Sequence, residues 1–301
     1  MIIPSYLKKG DTIGIVCPSG YMPYEKAVKC IETLTQWGFQ VKVGKTLGNQ
    51  YNYFSGTDHD RLSDFQQMLD DKGIKAILCG RGGYGLSRII DAIDFKTFRK
   101  FPKWIIGYSD ITLLHTHLNT KLKIASLHSP MAGAFNDGGA ETPYVESLLK
   151  TITGKKTVYN CDAHELNRNG IAAGEIIGGN LTLLAHSIGS VSEVQTKEKI
   201  LFIEDIGEYI YTVDRMLLQL KHAGKLSHLK GLIVGSFNDM KDTTIPFGQT
   251  IYEAIWDKVK EYSYPVCFDF PVGHTEKNYA LKSGMNYQLT VNKNKAVLKS
   301  L

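Results

Sequence analysis

The amino-acid sequence predicts an α/β protein in two domains, the first a doubly wound, mostly parallel sheet and the second a smaller, mixed, β-rich unit. Two observations predict it. Through the first half, apolar β-rich runs alternate with stretches of helical periodicity, as parallel strands covered on both faces require. Between residues 133 and 170 that rhythm gives way to Gly, Asn and Lys-rich turns, and the second half of the chain lacks it. A chain of 301 residues, 43% hydrophobic and 22% charged, can bury two cores of ordinary size.

The elements succeed one another in order. "DTIGIVCPS" is the first strand, then come a helical pattern from Tyr24 to Trp37, the strand "FQVKVG", a helix from Asp58 to Asp71 and the strand "IKAILCG". A helix near Leu86 to Ile93, the strand "KWIIGYS", a helix from Asp110 to Leu118 and the strand "KIASLHSP" complete a domain placed at 1–150. Its functional turns are expected at the carboxyl ends of the strands. Residues 151–167 read as a linker. The second domain, 168–301, contains "GIAAGEIIGGNLTLLAHSIGS", "KILFIEDIGE", a helix from Thr212 to Ala223, "LKGLIVGSF", a helix from Thr250 to Tyr262, "YPVCFDFPVGH" and the terminal hairpin "YQLTVNKNKAVLKS".

Composition excludes several function classes. The net charge of +5 is scattered along the chain, so no basic stripe marks a nucleic-acid face. Five widely spaced cysteines, with no C-x-x-C pair, fit reduced thiols in a cytoplasm better than a disulfide framework or a zinc ribbon. No H-E-x-x-H, Cys/His cluster or calcium loop is present, so metal chemistry is not expected. No stretch has the length and apolarity of a membrane span, and the N-terminus lacks the pattern of a signal peptide.

Two turns carry candidate chemistry. Gly80, Gly82 and Gly85 spell G-x-G-x-x-G between a strand and a helical pattern, the setting of a dinucleotide cradle and of a nucleotide-binding oxidoreductase. The fingerprint, however, lies after the third strand rather than the first. Gly107-Tyr108-Ser109-Asp110 lies on a strand-to-helix turn of the kind that projects a serine hydroxyl above a sheet edge. Ile111 stands where G-x-S-x-G has its second glycine, and Ser109 with Asp110 would otherwise serve as a helix cap.

A nucleophilic serine needs a base and an orienting acid. His115 and His117, two apart on a helix, read as ordinary surface or core residues, and His186 in "LTLLAHSIG" reads as a core histidine. His274, on the glycine loop after "PVCFDF", is presented where functional residues concentrate. Glu204 and Asp205 close an apolar strand, with Glu208 and Asp214 just beyond, and the pattern alone does not choose among them.

The segments "CPSGY", "GRGGYGLSRII", "IIGYSDIT", "LHSPM", "GGNLTLL", "LFIEDIGE", "VDRMLLQLKHAG", "LIVGSF" and "FPVGHTEKNYAL" occur in this order. Together they resemble the LD-carboxypeptidase family of serine peptidases, which includes murein tetrapeptide carboxypeptidases and microcin C immunity peptidases. The resemblance runs from the first strand to about residue 285. It implies a Ser-Glu-His triad of Ser109, Glu204 and His274, with Glu208 the nearest competitor for the acid. It implies an oxyanion hole of backbone amides from Asp110 and the Gly82-Gly83 turn. It further implies a flavodoxin- or amidotransferase-like first domain, a homodimer, no metal or organic cofactor, and a murein peptide substrate cut between a diamino acid and a terminal D-alanine during cytoplasmic recycling. Arg81 and Arg88, flanking the glycine turn, are candidates for the substrate carboxylate by proximity.

The rival within the family is an immunity-type peptidase that cleaves an aminoacyl-nucleotide amide, for which Tyr209, Tyr211 and Phe237 could form an aromatic wall. The modest chain length favours the murein substrate. The oxidoreductase built on Gly80, Gly82 and Gly85 is the rival from another class.

Overall fold

A computed structural model describes residues 1–136 and 138–301 and divides the chain into two compact units. The first comprises Met1–Lys155 and Tyr279–Lys282; the second comprises Lys156–Asn278 and Ser283–Leu301. In the first unit strands and helices alternate: β1 (Thr12–Val16), α1 (Val28–Gln36), β2 (Gln40–Val43), α2 (Asp58–Asp70), β3 (Ile74–Cys79), α3 (Lys96–Lys100), β4 (Trp104–Gly107), α4 (Thr112–His117), β5 (Ser126–His128) and α5 (Pro143–Ile152). The rest of the chain adds β6 (Val158–Asp162), β7 (Gly170–Asn180), α6 (Leu181–His186), β8 (Ile200–Ile206), α7 (Ile210–His222), β9 (Gly231–Asn238), α8 (Ile251–Val259), β10 (Val266–Cys267), β11 (Leu281–Ser283), β12 (Asn286–Val291) and β13 (Lys295–Ser300).

The first sheet has the order β11-β5-β4-β3-β1-β2. Its β2-β1-β3-β4-β5 stretch is parallel throughout, the doubly wound order whose switch point lies between β1 and β3. β4 is buried along its length and β3 at every position but Lys75, so both read as apolar runs rather than alternations. α2 starts on a reciprocal cap, Thr57 accepting from the Asp60 amide while the Asp60 carboxylate accepts from Thr57. A short return of the chain supplies the edge strand β11, which the alternation of the first half did not foreshadow.

The second sheet, β10-β9-β8-β7-β12-β13-β6, is mixed. β7 is the pivot: residues 170–175 pair antiparallel with β12, and residues 176–180 pair parallel with β8. Its parallel half carries the core of this unit, where Leu181, Leu184, Val213, Leu217 and Ile255 pack on Leu201, Ile203 and Val234.

Four expectations from the sequence are corrected. Residues 151–167 are not only a linker, since α5 ends at Ile152 and β6 pairs with β13 as an edge strand. Its burial alternates along Val158–Asp162, a period of two masked by polar neighbours. The helix near Leu86 to Ile93 is two 3₁₀ turns, Leu86–Arg88 and Ile90–Ala92, because β-branched Ile89 sits at φ −120° and breaks the ladder. The helix from Asp110 begins as a 3₁₀ turn and ends in a π turn over Leu118–Leu122. His186 is exposed rather than in the core, because α6 turns Leu181, Leu184 and Ala185 inward.

Gly178 has φ +140°, and a Cβ there would drive into the Phe202 carbonyl of the neighbouring strand. Gly178→Ala should therefore cost about 3 kcal/mol or more. Urea unfolding should show a lowered midpoint at unchanged slope.

Candidate active site

In the first unit three turns leave the carboxyl ends of the adjacent strands β1, β3 and β4. After β4, Tyr108 is extended and Ser109 takes φ +64°, a left-handed conformation at a residue with a Cβ. Such a conformation costs on the order of 1–2 kcal/mol and persists only where its surroundings over-determine it. The surroundings do so. A Cβ on Gly107 would lie 2.9 Å from Ile111 Cγ1, so Ile111 fills the space that the missing side chain leaves and needs no glycine in its own place. The Gly107 carbonyl is held at 2.8 Å by His115 Nε2, whose Nδ1 meets Ser126 Oγ at 2.9 Å. Burial pushes His115 down to about 4, so this imidazole is a neutral structural strut.

The glycine turn packs against the serine. A Cβ on Gly82 would lie 2.8 Å from Ser109 Cβ and 3.0 Å from its Oγ, so only glycine brings its backbone this close. Gly83 has φ +96°, and among the described residues no protein acceptor takes the Gly82 or Gly83 amide. Gly80 and Gly85 serve packing as well: side chains there would strike Cys17 Sγ and Arg61 Nη1 at 2.6 and 2.7 Å. The turn leads into a 3₁₀ turn, so it lacks the full helix N-terminus that a pyrophosphate cradle uses.

Asp110 does more than its backbone predicted. Its side chain is 1% exposed, and Oδ2 accepts from Ser19 Oγ at 2.6 Å and from the Leu86 amide at 2.8 Å. Arg88 is occupied by a bidentate pair with Asp58, at 2.7 to 3.0 Å. Arg81 is exposed and gives one Nη1 hydrogen bond, at 2.8 Å, to the Tyr21 carbonyl. Sequence reasoning missed Ser19, Arg61 and the Asp110 side chain. The "PSG" turn after the first strand was the available signal for Ser19, whereas Arg61 lay in an ordinary amphipathic helix.

In the second unit Glu204 and His274 meet. Glu204 is fully buried near the end of β8, and its Oε2 accepts from His274 Nδ1 at 2.7 Å. That bond leaves Nε2 as the basic nitrogen of the neutral imidazole. The loop is fixed around it: Asn238 Nδ2 donates to the His274 carbonyl at 2.6 Å, and the Gly273 amide donates to Asn278 Oδ1 at 3.0 Å. Gly273, at φ +118°, leaves no room for a Cβ beside Ser236 Oγ and Glu204. Asp205, the next residue of β8, instead accepts from Asn180 Nδ2 and from the amide and hydroxyl of Thr182. Glu208 lies beyond the strand and contributes nothing to that imidazole bond; burial, then the charge of Asp205, raises its carboxyl. Of the four acids that the sequence pattern left open, Glu204 is therefore the one that meets His274.

Tyr209 and Tyr211 stack at 5.4 Å and are exposed, while Phe237 is buried in the core and takes no part in an exposed wall. Among the described residues no three His, Cys, Asp or Glu side chains are grouped to hold a metal ion, and no helix is long and apolar enough to cross a membrane.

The family model described as LD-carboxypeptidase N-terminal domain matches residues 13–129, and the one described as LD-carboxypeptidase C-terminal domain matches residues 173–289. A probable murein peptide carboxypeptidase of Bacillus subtilis is 35% identical, over 99% of this chain and 94% of the relative. The muramoyltetrapeptide carboxypeptidase of Oxalobacter formigenes superposes with a TM-score of 0.87 at 28% identity, over 96% of this chain and 98% of that one. The microcin C7 self-immunity protein MccF of Escherichia coli is 26% identical, over 94% of this chain and 92% of the relative.

Burial opposes the charged form of His274, but the hydrogen bond and charge of Glu204, backed by Asp205, outweigh it and hold the imidazole above its ordinary value. Glu204→Gln removes the main raising contributions and leaves burial in place. An NMR titration of the His274 ring should therefore give a lower apparent pKa in this variant than in the parent protein; an unchanged value would contradict the assignment.

Proposed function

The chain belongs to the LD-carboxypeptidase family, and from that premise we propose that it is a serine carboxypeptidase that hydrolyses the amide between a diamino acid and the terminal D-alanine of murein tetrapeptides. The observation that carries the serine mechanism is the left-handed Ser109 packed against Gly82. Ser109 is the nucleophile, His274 its general base and Glu204 the acid that orients the imidazole.

Ser109 Oγ attacks the carbonyl carbon and gives its proton to His274 Nε2. The oxyanion that forms is met by the amides of Asp110, Gly82 and Gly83. One such donor is worth roughly 2.7 to 4 kcal/mol in comparable sites. When the C–N bond breaks, His274 returns the proton to the departing D-alanine amine. Water, deprotonated by the same nitrogen, then attacks the acyl-enzyme and frees Ser109. The substrate ends in a carboxylate, and Arg81 is the cation assigned to it, since Arg88 is committed to Asp58.

The same reading has the enzyme act in the cytoplasm, in recycling of cell-wall peptides, as a homodimer. Five buried cysteines with free thiols suit a reducing compartment. A second reading, cleavage of an aminoacyl-nucleotide amide, is favoured by one feature, the exposed Tyr209–Tyr211 stack, which offers a face to a nucleobase.

Assays of D-alanine release from a panel of murein tetrapeptides, beside hydrolysis of an aminoacyl sulfamoyl adenosine, decide between these substrates. Ser109→Ala should abolish release with folding unchanged, and activity within tenfold of the parent would sink the nucleophile assignment. Glu204→Gln should lose on the order of 10³–10⁴-fold in kcat, and Glu208→Gln far less; the reverse order would make Glu208 the acid. Arg81→Ala should raise KM severalfold. Arg88→Ala should leave KM alone and change stability little, since its ion pair with Asp58 is exposed to solvent.

A further inference from the structure

The glycine turn and the Ser109 turn are separate stretches of chain, and an oxyanion pocket drawn from both works only while their separation is held. A misplacement of about 1 Å costs on the order of 10²-fold in rate. Glycines cannot provide that grip, since Gly82 and Gly83 have no side chains and Gly83 and Gly85 sit at positive φ. What grips them is a matched set of buried contacts.

Asp110 Oδ2 takes two donors, the hydroxyl of Ser19 after β1 and the amide of Leu86, directly after the glycine turn. Arg61 Nη1 gives to two acceptors, the carbonyls of Pro18 at 2.7 Å and Gly85 at 2.9 Å. These are consecutive residues: 18 and 19 on one turn, 85 and 86 on the other. A carboxylate and a guanidinium thus cross-link the same two turns, one through their donors and the other through their acceptors, and both are at most 1% exposed. The backbone adds a third tie, from the Gly20 amide to the Gly82 carbonyl at 3.0 Å.

Buried opposite charges stabilise a fold weakly compared with well-packed apolar groups, so their best-attested use is to specify one arrangement. Burial drives the Asp110 carboxyl up, and the Ser19 and Leu86 hydrogen bonds with the charge of Arg61 pull it back. Resting on the reading of Ser109 as nucleophile, we propose that the Asp110 side chain, with Arg61 as its counterpart, is a positioning element that fixes the glycine-turn amides against Ser109. One residue then governs both halves of the oxyanion pocket: its own amide supplies one donor, and its carboxylate anchors the segment that supplies the other.

The test compares Asp110→Ala, Asp110→Asn and Ser19→Ala with the parent and with Ser109→Ala. D-alanine release is measured from a murein tetrapeptide, at a temperature well below each melting midpoint so that all the protein is folded. Asp110→Ala should lower kcat by about 10²-fold with KM within threefold. Asp110→Asn, whose carbonyl oxygen can accept both hydrogen bonds, should recover kcat to within about tenfold of the parent. Ser19→Ala, which removes one contact, should lose severalfold in kcat only. The proposal is overturned if Asp110→Ala keeps kcat within threefold of the parent while Ser109→Ala is inactive, or if Asp110→Asn falls as far as Asp110→Ala. Should Asp110→Ala fail to fold, Ser19→Ala decides: a kcat loss at constant KM supports the proposal, and parental kcat overturns it. Release by Ser109→Ala at a parental rate would instead remove the nucleophile reading itself.

Discussion

A serine held in a left-handed backbone conformation is the constraint around which the first unit is arranged. Ser109 at φ +64° would relax to ordinary geometry on an isolated chain, so every neighbour that prevents this serves the placement of one hydroxyl. Gly107 lets Ile111 close in from below, His115 pins the last carbonyl of β4, and Gly82 approaches from the side. Asp110 and Arg61 then secure the segment to which Gly82 belongs. The requirements propagate outward from one dihedral angle to three turns and two buried charges.

The second unit meets a different constraint, a carboxylate with no exposure to solvent. Glu204 directs its charge at His274, and Gly273 is glycine so that the loop can come near enough for the bond. The linkage has a definite sign. Because the folded imidazole titrates above its unfolded value of ~6.5, its contribution to stability is complete below that pH and is lost as pH rises through the folded value. In the proposed role of general base, an imidazole works when neutral. The pH range in which His274 can accept a proton is therefore the range in which this pair no longer favours the folded state, and the surrounding bonds from Asn238 and Gly273 must hold the loop there.

Much of this was legible in the sequence. Apolar runs such as "IKAILC" and "WIIG" announced a parallel sheet because buried strands have no polar face to alternate. Ser109 and His274 drew notice because each succeeds such a run, whereas the pattern left Glu204 level with Asp205, Glu208 and Asp214 and only the family resemblance singled it out. Long-range returns were not legible: β11 joins the first sheet from beyond residue 278, and nothing in three residues of edge strand declares its partner. β6 hid for a related reason, its buried Tyr159 and Cys161 alternating with polar residues in a stretch that otherwise reads as turn. Arg61 and Ser19 were invisible because their roles depend on what a fold brings beside them. An arginine on an amphipathic helix and a serine in a Pro-Ser-Gly turn have common surface explanations, and only burial separates them from those.

The G-x-G-x-x-G spacing shows how one backbone device serves two chemistries. In a dinucleotide cradle, glycines expose amides at a helix N-terminus, where the dipole favours a resident phosphate. Here the turn comes after β3, beside the switch point of the β2-β1-β3-β4-β5 order, and runs into a 3₁₀ turn in which the Leu86 amide is committed to Asp110. With the helix-end amide engaged by a carboxylate, the site for a permanent anion is already filled by the protein's own charge. The backbone at Gly82 packs instead beside the Ser109 hydroxyl, where the proposed reaction would raise negative charge only transiently. A pocket for a charge that appears in the transition state must be rigid before that charge exists, and under the proposed mechanism the cross-linking of the glycine turn at both ends meets that requirement.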